Sequence, residues 1–226
     1  MLYKTRGIVL NYIKYRETSI ITKIYTEEFG IQSYIVNSVR SKSSRPKIAF
    51  FQPLTLLDLV VYHKENTNLN RISEMRCSSS MVSIPFDQRK ISVGIFLSEI
   101  LIKSLKEEER NTALFNFLYG SILSLDKGEK GLENFHLQFL LQFSRYLGFE
   151  PQTASEIFSQ VFKGNYEDET EALLIDELLL SSYGEEIKIS NTVRRNILDL
   201  LLKYYEIHHE GLGQINSVQV LKDVLG

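Results

Sequence analysis

The sequence predicts an α+β protein with two domains, an N-terminal five-stranded OB-type β-barrel over residues 1–80 and an all-helical domain over residues 81–226. Three observations predict this architecture. The first eighty residues contain β-branched and aromatic segments separated by turns, whereas apolar residues after position 80 recur with a helical period. The stretch CSSSMVSIPFD between them has the composition of a connection. The two parts also carry opposite net charges.

The N-terminal part contains five strand-like segments: RGIVLNYIKY, SIITKIYT, IQSYIVNSV, FQPLTLLDLVVYH and NLNRISEMRC. Gly30 in TEEFG can adopt positive φ, so this turn is expected to close a tight hairpin. Both alternating faces of the fourth segment are largely apolar, which is typical of a central strand. Five strands favour a small closed sheet of the OB type over a sandwich, which needs seven or more.

Apolar residues at helical spacing predict helices around residues 91–105, 114–125 and 132–147. Asn111-Thr112 resembles an N-terminal cap of the second helix, and Gly148 is placed to end the third. Beyond Pro151 we expect helices near residues 153–162 and 168–182. A long helix should then run from about Thr192 to His209, capped by Ser190 or Asn191.

Charge is unevenly distributed along the chain. Residues 1–80 hold twelve Lys and Arg against six Asp and Glu, a net charge of +6, whereas residues 81–226 hold fourteen against twenty-two, a net charge of −8. Such asymmetry is typical of a domain that meets a polyanion. Chance variation of surface charge is the alternative explanation.

A basic loop lies between the third and fourth strand-like segments. Every residue from Arg40 to Lys47 is Arg, Lys, Ser or Pro, and no carboxylate interrupts the run. Its four cations are expected at the rim of the barrel, where phosphate contacts are made; they are Arg40, Lys42, Arg45 and Lys47. Without a ligand, the segment would be a solubilising turn.

Three further cations, Lys14, Arg16 and Lys23, lie on the first two strand-like segments and the turn between them. The N-terminal part also holds nine Tyr and Phe, most of which are expected in the core of so small a barrel. A minority of the tyrosines could stack on bases beside these cations, with Tyr12 and Tyr15 as the named candidates. A basic groove with an aromatic platform is how such folds bind single strands without reading their sequence.

Catalytic and metal-binding motifs are absent from the sequence. It contains no P-loop, no G-x-S-x-G elbow and no H-E-x-x-H pair. His208 and His209 are adjacent, so on a helix they point about 100° apart, and a solvated helix end explains them better than zinc. Cys77 is the only cysteine and is expected to be an ordinary buried thiol. We therefore expect neither an enzyme nor a cofactor.

No apolar run reaches the roughly 20 residues that a membrane helix needs, and MLYKTRGIVLNYIKY returns to polar residues too soon for a secretory signal. The expected location is the cytoplasm, without membrane contact.

The N-terminal motifs resemble those of the bacterial RecO family of recombination mediators. RGIVLNYIKYRETSIITKIYTEEFG is similar to that family's pattern of a G-x-V-L strand, an E-T-S turn and a T-E-E-x-G hairpin, and VRSKSS is similar to its basic loop. The resemblance implies an OB fold followed by a helical domain, and binding and annealing of single-stranded DNA. It also implies partnership with RecR and contact with the tail of single-stranded DNA-binding protein, which helps to load RecA.

The chain departs from the family pattern in one respect. Many members carry a cysteine cluster for zinc just after the helix that here ends in RYLGFEP, whereas this chain has only Cys77. We therefore predict a zinc-free version of the helical region, held together by apolar packing.

Together the residues and the resemblance predict a non-enzymatic mediator that binds and anneals single-stranded DNA. The pocket for the tail of the single-stranded DNA-binding protein should be apolar and rimmed by a cation, for which Lys103, Arg110 and Arg145 are the candidates. The alternative is a protein-only adaptor whose basic loop docks an acidic peptide or a partner subunit, since both ligands require the same cations.

Overall fold

The computed structural model describes residues 1–39, 45–64, 67–106, 108–162 and 168–225, without the side chains of residues 45 and 46. The chain divides into two compact units. The first comprises Met1–Val82 and Leu105–Ile122, and the second comprises Ser83–Ser104 and Leu123–Gly226. A helical segment thus groups with the strands, and a domain boundary after Ser80 stays a prediction.

Five strands form a closed barrel in the first unit, as the sequence predicts. They are β1 (Leu2–Tyr15), β2 (Ser19–Thr26), β3 (Gly30–Val36), β4 (Leu56–Tyr62) and β5 (Asn70–Cys77). The order around the barrel is β1-β2-β3-β5-β4, and β4 pairs back with β1. All pairs are antiparallel except β3 and β5, whose parallel pairing spans two residue pairs.

Helices make up the rest of the regular structure. Those described are α1 (Arg45–Ile48), α2 (Gln88–Ser104), α3 (Thr112–Lys127), α4 (Phe135–Leu147), α5 (Ala154–Phe162), α6 (Glu169–Leu180), α7 (Asn191–His208) and α8 (Val218–Leu225). Short 3₁₀ turns cover Ala49–Phe51 and Leu132–Asn134. None of the described helices combines the length and apolar character needed to cross a membrane.

The predicted helix ends at three positions are confirmed. Asn111 Oδ1 accepts a hydrogen bond from Leu114 N at 3.0 Å, and Ser190 caps α7. Gly148 ends α4 with φ of +87°, a conformation that glycine adopts without a Cβ penalty. Helices α1 and α8 were not predicted.

The barrel interior is filled by aliphatic side chains and two large aromatic ones, Tyr34 and Phe51. Gly7 is required by close packing, since a Cβ there would lie 2.7 Å from Ile24 Cγ2 and 2.8 Å from Leu59 Cδ1. Gly30 has φ of +58° and closes the β2–β3 hairpin as predicted. The fully buried core members are Val9, Ile20, Ile24, Tyr34, Val39, Phe51, Leu57, Leu59 and Val61.

Two expectations about the barrel are wrong. The fourth strand begins at Leu56, because Phe50 and Phe51 belong to the preceding 3₁₀ turn and Pro53 cannot donate to a strand ladder. Cys77 is exposed rather than buried, since it lies at the end of β5, although partial burial raises the pKa of its thiol.

Helix α3 packs on the barrel through its N-terminal part. The guanidinium of Arg6 on β1 lies 5.0 Å from the ring centroids of both Phe115 and Tyr119, and Arg6 Nη2 donates to Asn116 Oδ1 at 3.2 Å. Phe115 also stacks on Tyr25 of β2, with centroids 6.2 Å apart. These contacts explain why residues 105–122 group with the strands.

The helical unit contains a buried arginine, Arg194. Arg194 on α7 is only 6% exposed, and its guanidinium donates to Asn134 Oδ1, Asn191 Oδ1 and the carbonyl of Ile189 at 2.9–3.0 Å. Burial lowers the pKa of Arg194. His136 on α4 is also buried, and its burial together with the charge of Arg194 lowers its pKa to about 3.

Helix α8 is attached to α2 by one carboxylate. Glu99 accepts hydrogen bonds from Ser217 N at 2.8 Å, Ser217 Oγ at 2.7 Å and Asn216 N at 2.9 Å. Burial alone would raise the pKa of Glu99, but these hydrogen bonds and Lys103 outweigh it and lower the pKa. The carboxylate is therefore held ionised at the start of α8, where it satisfies backbone donors.

Candidate nucleic-acid interface

The basic loop lies between β3 and the 3₁₀ turn, and the structure describes part of it. Arg40 and Lys42 lie outside the described residues, as does the side chain of Arg45, whose backbone begins α1. Lys47 in α1 is exposed. The contribution of Arg40, Lys42 and Arg45 to binding stays a prediction.

Lys47 lines a groove of about 270 Å³ next to the short β3–β5 pairing. Arg71 on β5 is the second cation of this groove, and Asn37 and Ser73 contribute polar groups. The remaining lining residues are apolar: Ile35, Val36, Ile72 and Met75. Cations beside apolar walls provide both phosphate contacts and surface for bases.

Lys14, Arg16 and Lys23 are all exposed, around the β1–β2 hairpin. Lys14 lies near the end of β1, and Arg16 lies in the turn with φ of +51°. The Arg16 guanidinium lies 5.2 Å from the ring centroid of Tyr15. Lys23 is on the outer face of β2, in register with Asn11 of β1 and Ser33 of β3.

Three lysines of the barrel form no ion pair within the part of the chain that the structure describes. No described carboxylate forms an ion pair with Lys14, Lys23 or Lys47. A polyanion can therefore bind these side chains without displacing a carboxylate of the described residues. This is the electrostatic property that phosphate recognition requires.

The three cations predicted to bind partner proteins are differently placed. Lys103 lies 3.4 Å from Glu99, Arg110 lies 3.3 Å from Glu28, and Arg145 lies 3.8 Å from Glu150. Each is thus already beside a carboxylate. The pairs of Arg110 and Arg145 are exposed and therefore weak, so a partner could still compete for these two cations. Lys103 and Glu99 are half-buried, and their pair is less accessible to a partner.

The helical unit contains a pocket that combines apolar walls with two lysines. Its volume is about 390 Å³, and Lys127 and Lys130 line it together with Leu132. Phe135 and Tyr183 also line it and stack on each other with centroids 4.4 Å apart. Sequence reasoning missed this pocket, because residues 127–131 and 183–184 meet only in the folded unit.

The described residues contain no group of three or more His, Cys, Asp and Glu side chains that could hold a metal ion. His208 and His209 have separate partners, Gln160 Oε1 and the carbonyl of Ser104. Asp58, an acidic residue in β4, is half-buried and pairs with Arg76 at 3.0 Å.

The aromatic residues of the barrel divide into core and surface. Tyr25, Tyr34 and Phe51 are buried, and Tyr12, Phe29 and Phe50 are half-buried against the core. Tyr3 and Tyr62 are exposed by 39% and 51%. Tyr62 was not among the residues expected to stack on bases.

Two family models match the chain. The model for the N-terminal part of recombination protein O matches residues 1–81, and the model for its C-terminal part matches residues 85–161. DNA repair protein RecO of Flavobacterium psychrophilum is 36% identical over 237 residues and covers 99% of both chains. The proteins of the same name from Bacteroides fragilis and Phocaeicola vulgatus are 35% and 34% identical, again over 99% of both chains.

Proposed function

The chain belongs to the RecO family of DNA repair proteins, and on that premise we propose that it binds and anneals single-stranded DNA. The observation that carries this proposal is the set of exposed lysines on the barrel, Lys14, Lys23 and Lys47, which have no carboxylate partner among the described residues. OB-type barrels bind oligonucleotides with such surfaces. Arg40, Lys42 and Arg45 of the basic loop are proposed to make further phosphate contacts.

Annealing on this surface requires no covalent chemistry. Two DNA strands repel each other through their phosphates, and a net charge of +6 over residues 1–80 lowers that repulsion when both strands are bound. Residues of the β1–β2 hairpin (Lys14, Arg16, Lys23) and of the loop would share the phosphate contacts. The protein acts in this proposal as a cytoplasmic, non-enzymatic mediator without zinc or another cofactor.

The helical domain, residues 81–226, recruits the protein partners in this proposal. They are RecR and the C-terminal tail of single-stranded DNA-binding protein, and the outcome is loading of RecA onto coated strands. The pocket of Lys127 and Lys130 supports the tail contact, since its apolar walls and cations suit an acidic peptide with apolar side chains. Lys130 would have to leave Glu186, which lies 3.4 Å away in an exposed pair. Lys103, Arg110 and Arg145 stay predictions for partner contacts, and each would have to leave a carboxylate.

The test is binding of a fluorescent poly-dT oligonucleotide to the purified protein at several salt concentrations, without RecR. We expect binding that weakens with salt and strengthens with strand length. Replacement of Arg40, Lys42, Arg45 and Lys47 by Ala should lower the slope of log affinity against log salt by up to about 3, at roughly 0.7 per phosphate contact.

A matched control removes four exposed cations from the helical unit: Arg89, Arg145, Lys188 and Lys203. This variant has the same net charge as the loop variant, so an effect of overall charge would appear in both. Equal slopes for the loop variant and the wild type would contradict the assignment of the loop. No binding at low salt would favour the adaptor, which meets DNA only through a partner.

A further inference from the structure

One row of residues crosses the outer face of the barrel from β3 to β4. Ile35 of β3 is in register with Arg71 of β5, and Arg71 is in register with Tyr62 of β4. Residues in register on neighbouring strands point to the same side of the sheet and lie about 5 Å apart. The exposed residues Tyr62 and Arg71 therefore occupy adjacent positions on the same side of the sheet.

Arg71 differs in its surroundings from the other exposed arginine of β5. Arg76 pairs with Asp58 at 3.0 Å, whereas no described carboxylate forms an ion pair with Arg71. Arg71 also lines the groove of Lys47, which opens where the β3–β5 pairing ends. Two cations thus face the same groove, one from a strand and one from the helix that follows the basic loop.

Tyr62 differs from Tyr3 and Tyr15 of the barrel surface in what packs against its ring. The ring of Tyr3 packs edge-on against Phe29, with centroids 5.3 Å apart, and the ring of Tyr15 lies beside the Arg16 guanidinium. No described ring or cation packs against Tyr62, which is 51% exposed. A flat aromatic surface is therefore available next to a cation.

We propose that Tyr62, Arg71 and Lys47 form a nucleotide-binding site for single-stranded nucleic acid. Tyr62 stacks on a base, and Arg71 and Lys47 bind the flanking phosphates, so that the strand crosses the barrel where β3 meets β5. The site accepts any base, because every base has an aromatic face. This inference rests on the proposed function, since it names the part of the barrel that holds the strand.

The row also continues to the other cations. Ile35 is in register with Ile21 of β2, so two strand spacings, about 10 Å, separate the Ile21 position from Arg71. Lys23 lies two residues from Ile21 on the same face of β2. A strand that leaves the Tyr62 site along this row therefore reaches Lys23.

Stacking is tested directly by Tyr62→Trp, because the chain has no tryptophan and the new indole is a unique fluorophore. We expect poly-dT to quench its fluorescence with the same affinity that anisotropy of a labelled oligonucleotide reports. The matched control is Tyr3→Trp, whose indole should keep its fluorescence. Quenching of both indoles alike, or of neither, at saturating poly-dT would overturn the stacking assignment.

The affinity for poly-dT and its salt dependence distinguish base stacking by Tyr62 from phosphate binding by Arg71. Tyr62→Leu should weaken poly-dT binding about tenfold with an unchanged salt slope, and Tyr62→Phe should bind like the wild type. Arg71→Ala should weaken binding and lower the slope by about 0.7, whereas Arg76→Ala should stay within about twofold of the wild type. Cooperative thermal unfolding of each variant confirms that it is folded.

Failure of this inference and failure of the proposed function are distinguishable. If the wild type binds poly-dT in a salt-sensitive manner while Tyr62→Leu and Arg71→Ala bind equally well, the site is wrong and the function stands. If the wild type does not bind, the proposed function fails and the site fails with it.

Discussion

The guanidinium of Arg6 holds the carboxylate of Glu27 by two hydrogen bonds, Nε to Oε2 at 2.9 Å and Nη2 to Oε1 at 2.8 Å. This bidentate pair joins β1 to the β2–β3 hairpin, and the same guanidinium lies beside Phe115 and Tyr119 of α3. The pairing raises the pKa of Arg6 and lowers the pKa of Glu27.

We expect Arg6→Ala to lower the free energy of unfolding by about 2 kcal/mol, since it removes charge-assisted hydrogen bonds and a cation–π contact. Urea denaturation measures this change. Arg76→Ala is the control, because its side chain is 81% exposed and Asp58 is its one ion-pair partner among the described residues, so its loss should stay below about 0.5 kcal/mol. Equal losses would contradict a structural role of Arg6.

Two buried tyrosines should respond in opposite ways to removal of the hydroxyl group. Tyr205 Oη donates to the carbonyl of Leu140 at 2.5 Å, whereas Tyr34 Oη in the barrel has no partner among the described residues. Tyr205→Phe should cost about 1 kcal/mol of stability, and Tyr34→Phe should be neutral or stabilising. Equilibrium unfolding checks both, and a clear loss in Tyr34→Phe would reveal a partner for that hydroxyl.

His136 should make the protein less stable in mild acid. Its pKa is lowered to about 3 in the folded state from the ordinary value of 6.5, so between these values the unfolded chain binds one proton more. Above pH 6.5 His136 is neutral in both states and does not lower the free energy of unfolding. As the pH falls from 6.5 towards 3, protonation of His136 in the unfolded chain lowers the free energy of unfolding by about 4 to 5 kcal/mol in all.

Unfolding free energies measured between pH 4 and pH 6 test this linkage. The wild type should lose about 1.4 kcal/mol more per pH unit than His136→Phe, which has no imidazole to protonate. The other three histidines are present in both proteins and cancel in the comparison. Parallel pH profiles would show that the buried imidazole does not control acid stability.

Metal removal should not affect the protein. The sequence predicts a zinc-free helical region, because Cys77 is its only cysteine. Treatment with a chelator is expected to leave the melting temperature and poly-dT binding unchanged. One equivalent of tightly bound zinc in the purified protein would disprove the prediction.

The sequence predicted the barrel well, because its strands are short and strongly β-branched and its turns contain Gly30 and polar residues. SIITKIYT coincides with β2. Helices with caps at Asn111, Gly148 and Ser190 were also predicted near their observed ends. These features are local, so the sequence displays them directly.

Features that depend on distant contacts were not predicted. Helix α8 has eight residues and depends on Glu99 of α2, which its own sequence does not reveal. Arg71 and Tyr62 become neighbours only through strand register, and the pocket of Lys127 and Tyr183 joins segments more than fifty residues apart. Composition identified residues 1–80 as the part of the chain with net positive charge. Only the folded structure shows which of its Lys and Arg side chains have a carboxylate as an ion-pair partner.

The contact between Glu99 and Ser217 spans 118 residues, and this has a consequence for synthesis on the ribosome. The barrel unit has all its segments once residue 122 has emerged, whereas the helical unit still awaits α8, about a hundred residues later. At roughly 5 to 20 residues per second, this delay lasts about 5 to 20 seconds. All segments of the barrel unit therefore leave the ribosome well before α8, and we expect the barrel to fold first during synthesis.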